Sequence, residues 1–374
     1  MERSMENEEL SKAFVQSFAM KGGDGPHSYA QNSSIQRLAI EAAKNLLHCA
    51  ISNHFDPNAI SSSSSTSPIS IVDLGCSTGP NTFIAIQYII EAIQTQYQSH
   101  NLPTPEFQVF FNDQVSNDFN TLFQKLPPNR NYFASGVPGS FHGRLFPRQS
   151  LHLIHSSSSL SWVSKLPKEI IRDGSCGAWN KGRIHYAGAP REVVDVYEEH
   201  YKKSLEAFLH ARAEEIVRNG IMALQIPASQ DHVIDDGNDE KLYPGRDLEL
   251  LGSCLVDMAK LGLVSEEKVD SFNIPMFFPQ LKELKKLLLS NEDFSIEQME
   301  LLDGKFLSVG NVEMYVSHHR AALEALIEKH FGEGVADELF SRYAKKVLEF
   351  PEIMDMQNLK IVLLFVLLKP KLHA

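Results

Sequence analysis

From about residue 68 onward, apolar positions fall into two alternating textures. Short apolar runs end at a turn or a polar residue: 69–72, 107–111, 131–137, 151–157 and 221–226. β-Branched and aromatic residues dominate them, which predicts buried strands. Between the runs, apolar residues recur at three- and four-residue steps. Phe83, Ile86, Ile89, Ile90 and Ile93 show this, as does the stretch 191–219, closed by Asn219-Gly220 as a helix stop. Strands alternating with helices predict an α/β fold with a doubly wound, mostly parallel sheet.

The flanks differ. Residues 1–19 carry little apolar pattern and predict partial disorder, and 20–36 reads as a glycine-rich loop entering a helix capped by Ser33 or Ser34. Residues 61–67 form a polar serine linker, and 229–247 is charged and glycine-bearing, predicting a mobile loop. Helical patterns follow at 248–262, 279–290, 316–330 and 335–349, and a last strand at 359–368. The expected organisation is an N-terminal lid and helix (1–60), an α/β core (68–228), a helical cap (229–350) and a strand returning to the core (351–374).

The stretch 67–81 gives this pattern a chemical meaning. A strand ends on Asp73, Gly75 and Gly79 follow four residues apart, and a helix opens at Asn81. Strand, glycine turn and helix start form the ligand edge of an open α/β sheet. A dinucleotide site wants G-x-G-x-x-G, with a pyrophosphate on the helix N-terminus. Here the pattern is D-x-G-x-x-x-G, whose carboxylate repels a pyrophosphate and attracts an ammonium or sulfonium. The expected ligand is therefore S-adenosylmethionine, and a dinucleotide oxidoreductase is disfavoured. Asp113 ends the second strand, where an acid takes ribose hydroxyls, although its spacing of 40 residues from Asp73 exceeds the usual ~20. Ser140 and Phe141 follow the third strand, where an adenine would lie.

Composition narrows the partners. A net charge of −12 argues against a large nucleic-acid surface. Four scattered cysteines (Cys49, Cys76, Cys176, Cys254) without a C-x-x-C suit a reducing, cytosolic compartment. The apolar run 361–368 is too short to span a bilayer as a helix, so no membrane association is expected.

A set of ordered motifs goes further. MKGGDGPHSYAQNSSIQ (20–36), IVDLGCSTGPN (71–81), FFNDQ (110–114) with SNDFNTLF (116–123), GVPGSFHGRLFP (136–147), WVSKLPK (162–168), NKGRI (180–184) and DSFNIP (270–275) occur in this order. From Met20 to the C-terminus the chain resembles the plant SABATH methyltransferases, which methylate salicylate, jasmonate, indole acetate, loganate and caffeine precursors. The resemblance implies a methyltransferase-type α/β core with a helical cap, a homodimer, and S-adenosylmethionine as donor. It implies cofactor contacts at Tyr29, Asp73, Cys76, Asn81, Asp113, Gln114, Ser140, Phe141 and Ser157. Gln114 stands where the family often has leucine, a contact made at the level of the backbone. The acceptor carboxylate would be held by Gln36 and Trp162, and a reported Mg²⁺ position matches Asn180, Asp270, the Phe272 carbonyl and Asn273, an oxygen set suited to a hard cation.

Two neutral donors suit methyl transfer to a carboxylate, which is already ionised at pH 7 and needs no general base. An arginine would hold back the attacking lone pair. Ser158 and Ser161 stand where salicylate-type relatives carry a tyrosine and a bulky methionine or histidine. The expected pocket is wider and more polar than one that sandwiches a benzoate, fitting a larger terpenoid-type acid unless Leu242, Tyr243 or Leu248 refill it. N-methylation of a xanthine and non-catalytic cofactor binding are the rival readings.

Overall fold

The protein is described by a computed structural model over residues 19–63, 68–164, 166, 170–171, 177–231, 242–302 and 310–371. Positions 1–18, the linker beyond residue 63, and 232–241 of the charged loop lie outside the described residues, so the disorder expected there is not at issue. Cys176 also lies outside them.

Seven strands form one sheet: β1 (Ile69–Leu74), β2 (Phe107–Asp113), β3 (Phe133–Pro138), β4 (Leu151–Ser157), β5 (Ile216–Ser229), β6 (Phe294–Leu301) and β7 (Ile361–Pro370). Their spatial order is β3-β2-β1-β4-β5-β7-β6. The first five are parallel, and β7 runs antiparallel to both its neighbours. This is the doubly wound, mostly parallel sheet expected from the sequence. The edge strand β6 was not anticipated, because half its residues stay partly exposed and its pattern is weak.

The N-terminal part supplies α1 (Tyr29–Asn32), α2 (Ser34–His54) and α3 (Pro57–Ser63). Between the strands run α4 (Asn81–Ser99), α5 (Phe119–Gln124) and α6 (Arg191–Glu215). The cap contributes α7 (Arg246–Lys260), α8 (Glu266–Ser271), α9 (Leu281–Leu289), α10 (Val312–Phe331) and α11 (Val335–Glu349).

Burial explains the apolar run near the C-terminus. Leu363, Phe365 and Leu367 join α2 and α4 on one sheet face, while Leu364, Val366 and Leu368 join α6 and α9 on the other. A strand covered on both faces needs apolar residues at every position rather than every second one. A third core gathers α7, α8, α10 and α11 with Ile35 and Ile184.

Two local expectations are corrected. The helix over 191–219 stops at Glu215, and Asn219-Gly220 lies inside β5, beside a register shift in the β4–β5 pairing. Gly220 serves a close approach there: a Cβ would sit 2.6 Å from Ile216 and 3.0 Å from the His152 carbonyl. Ser33 precedes α2 without a capping hydrogen bond, and its hydroxyl and carbonyl instead accept from the Asn81 amide at 3.0 and 2.9 Å.

Candidate active site

The turn after β1 packs against the end of β2. The Gly75 and Cys76 amides both donate to the Asn112 carbonyl at 2.9 Å. Gly75 has φ +85°, and a Cβ there would lie 2.0 Å from Ser159 Oγ, so only glycine fits. The Asp113 carboxylate is fixed by two backbone donors, Ser77 N–H and Gln114 N–H, each at 2.7 Å. Burial nevertheless raises its pKa to about 6, against those hydrogen bonds. Tyr29 from α1 stands nearby, its phenol pushed up by burial and by Asp113 and Asp73.

Asp73 behaves differently. It is buried, accepts from His155 Nδ1 at 2.7 Å and from Thr82 Oγ1 at 2.5 Å, and does not line the cavity. Each of its oxygens carries one hydrogen bond inside the protein, tying β1 to β4 and α4. Asn81 is likewise turned to Ser33, and Cys76 lies buried with its thiol pushed up by burial. Ser140 is exposed and outside the cavity wall, its hydroxyl accepting from the His142 amide at 3.4 Å.

Phe141 forms the next wall, and a buried ion pair fixes its loop. Arg212 and Glu215, both fully buried, meet at 2.7 Å. Arg212 donates to the carbonyls of Phe141 (2.7 Å) and Gly143 (2.8 Å), while Glu215 accepts from the Leu145 and Phe146 amides at 2.5 and 2.9 Å. The pair thus satisfies the backbone of the turn carrying Phe141.

One partly open cavity is lined by Tyr29, Ser77, Asp113, Gln114, Phe141 and Ser157 and also by Gln36, Trp162, Ser158 and Ser161. Ser158 has φ +62°, and its carbonyl accepts from Ser161 Oγ at 3.2 Å. Gln36 Oε1 is buried without a protein partner. The segment 161–163 pairs with 275–277: Phe277 N–H donates to Ser161 O at 2.9 Å and Val163 N–H to Pro275 O at 3.0 Å. That pairing brings Met276 and Phe278 into the cavity, where Ile35, His318, Met356 and Ile361 also face it. None of these six was singled out from the sequence; the one available signal was the apolar segment after DSFNIP. Leu242, Tyr243 and Leu248 do not line the cavity. Tyr243 bonds to Glu249, and Leu242 and Leu248 pack in the cap core.

Of the metal set, Asn180 and Asn273 are fully buried and in contact, Asn180 Nδ2 donating to Asn273 Oδ1 at 2.6 Å. Asp270 accepts from Gly182 N–H at 2.9 Å. Asn180 Oδ1 is a buried oxygen without a partner, which fits a cation, whereas Asn273 has its amide nitrogen unpaired. Among the described residues no cluster of three or more His, Cys, Asp and Glu could hold a metal.

A parallel sheet with a carboxylate and a glycine turn at its strand ends, continuous with a capped cavity, defines a methyltransferase-type site. Residues 15–371 match the family described as SAM-dependent carboxyl methyltransferases. The chain is 42% identical over 360 residues to loganic acid O-methyltransferase of Catharanthus roseus, covering 96% of this chain and 95% of that one. It is 44% identical over 285 residues to farnesoic acid carboxyl-O-methyltransferase of Arabidopsis thaliana, covering 76% and 79%. A solved structure of loganic acid methyltransferase with SAH superposes with a TM-score of 0.87 at 42% identity, over 95% of this chain and 99% of that one. The chain belongs to the S-adenosylmethionine-dependent carboxyl methyltransferase family, and is an enzyme with S-adenosylmethionine as its methyl donor.

Proposed function

We propose that this enzyme forms the methyl ester of a carboxylic acid larger than salicylate, of the terpenoid type. One observation carries the reading: Gln36, Trp162, Ser158 and Ser161 share a single cavity with Asp113 and Phe141, and the rest of that wall is mainly apolar, with Met276, Phe278 and Met356. Asp113, fixed by two backbone donors, takes the ribose hydroxyls, and Phe141 covers the adenine. When bound, S-adenosylmethionine supplies an electrophilic methyl group. The protein's task is to strip water from the carboxylate and aim one oxygen at that methyl. Gln36 and Trp162 donate to the carboxylate and hold it without a cation. No residue takes a proton, because the acid arrives ionised.

The test is labelled S-adenosylmethionine supplied with a panel of terpenoid acids, salicylate and xanthines, with products identified by mass. Methyl esters of the larger acids are expected; methylxanthines, or binding without product, would overturn the reading.

Three further assignments belong to the same proposal. A Mg²⁺ ion would rest on Asn180 Oδ1 and Asp270 as a structural ion, an idea supported by the uncommitted buried oxygen on Asn180. Metal analysis of the purified protein tests it. A cytosolic location is supported by free thiols at Cys49, Cys76 and Cys254, and localisation of a tagged protein tests it. A homodimer rests on the family resemblance, and sedimentation velocity tests it.

A further inference from the structure

His318 is a part of the cavity wall with no role in holding the cofactor or the acceptor carboxylate. It lies on α10, and Ala322, one turn further along, lines the same cavity. The Asn32 backbone favours a proton on the imidazole, while its Nδ1 is buried without a partner. A backbone group that favours the protonated ring is a carbonyl, so the neutral ring carries its proton on Nε2 and leaves Nδ1 as a bare acceptor. The neighbouring His319 makes the contrast: its Nδ1 meets the Tyr315 carbonyl and its Nε2 meets Asp247, both at 2.9 Å. Burial, then the nearby His319, hold the His318 pKa down to about 3, so the ring stays neutral at physiological pH.

A buried acceptor left unpaired is costly, so such groups almost always have a donor. Ile35, Met276, Phe278 and Met356 give the cavity that His318 lines a largely apolar wall. A second carboxylate or a carbonyl has no proton to offer and would face the Nδ1 lone pair. A hydroxyl group fits.

We infer that His318 Nδ1 accepts a hydrogen bond from a hydroxyl on the acceptor's carbon skeleton, so that the enzyme prefers hydroxylated monocarboxylic acids. The inference rests on the methyl-ester reading and adds a specificity-determining residue to it. Gln36 and Trp162 take the carboxylate, His318 takes the hydroxyl, and the apolar walls take the skeleton between them. Dicarboxylic acids are disfavoured on the same grounds.

The experiment compares kcat/KM for a hydroxylated alicyclic acid and its deoxy counterpart, in the wild type, His318→Leu and His318→Gln. Wild type is expected to favour the hydroxy acid by about tenfold, the scale of one neutral hydrogen bond. His318→Leu is expected to collapse that ratio toward one, and His318→Gln, which keeps an acceptor atom, to restore part of it. Equal kcat/KM for both acids in the wild type, or an unchanged ratio in His318→Leu, would overturn the role of His318. Should His318→Leu fail to fold, judged by lost S-adenosylhomocysteine binding, the wild-type ratio and His318→Gln still decide. If the wild type methylates neither acid, nor any other carboxylic acid, the underlying reading has failed instead.

Discussion

Asp73 and Asp113 both end strands, yet their surroundings give them different work. Asp113 →Ala removes a carboxylate from the cavity wall and is expected to weaken S-adenosylhomocysteine binding by about 1.5–3 kcal/mol, measured by calorimetry with the fold intact. Asp73→Ala leaves His155 and Thr82 without their partner, and is expected to lower stability by about 1–3 kcal/mol, read as a shifted urea midpoint. If Asp73→Ala weakened binding at unchanged stability, the distinction would fail. Gln36→Ala and Trp162→Ala are expected to cut turnover about a hundredfold by misaligning the carboxylate, with cofactor affinity near wild type. Ser158→Tyr is expected to raise kcat/KM for salicylate relative to alicyclic acids. Its φ of +62° adds strain for a bulkier side chain, so salicylate activity is judged as a ratio rather than as an absolute rate.

At the scale of elements, the C-terminal turn of α6 does more than end a helix. Arg212 and Glu215 carry the loop that presents Phe141, through four hydrogen bonds to its backbone. Glu215→Ala strands a buried guanidinium and is expected to cost about 3–5 kcal/mol of stability. The same change frees the Leu145 and Phe146 amides, so the cofactor KM is expected to rise more than the acceptor KM. Thermal unfolding and a KM comparison at permissive temperature check the two halves separately. An unshifted cofactor KM would reduce the pair to a purely structural role. The 275–277 segment has a comparable duty, since its pairing with 161–163 sets Met276 beside Trp162 in the cavity wall.

For the whole molecule, pH separates binding from chemistry. The nucleophile titrates far below neutrality, so kcat at saturating cofactor is expected to stay flat from about pH 6.5 to 8. Asp113, raised to about 6 by burial, is expected to lose cofactor affinity as pH falls through that value, seen as a rising cofactor KM. The stability sign is opposite. Its folded pKa lies above the ordinary carboxyl value, so the apoprotein binds this proton more tightly folded than unfolded. This group's contribution therefore grows as pH falls from about 6 toward 4 and is absent above 6. Steady-state profiles at two cofactor concentrations check the first claim, and urea midpoints across that range check the second. A fall in kcat with a midpoint near 7 would point to a histidine base and contradict the base-free mechanism.

How much was legible beforehand depends on the range of the interaction. Periodicity gave the five parallel strands, the strand that returns at the C-terminus and the four longer cap helices, but not the six-residue α8, because side-chain alternation and helical repeat are set by neighbours in the chain and need length to show. The D-x-G-x-x-x-G turn and the acid that ends β2 marked the ligand edge, since a strand-to-turn transition needs particular residues locally. Helix α6 ends earlier than Asn219-Gly220 suggested, because pairing of Ile216 with Leu151 draws the chain into the sheet first. The orientation of Asp73 toward His155, the loop held by Arg212 and Glu215, and the entry of Met276, Phe278, Met356 and His318 into the cavity were decided by tertiary structure. The first two join positions 69 to 82 residues apart, and the cavity brings Met356 to the wall that also holds Tyr29, 327 residues away. Sequence by itself determined which chemical groups the chain possesses and roughly where its main strands and turns fall along it. Only the packed sheet and cap decided which groups face the ligand and which are spent on one another, because hydrogen-bond partners and desolvation depend on proximity in space.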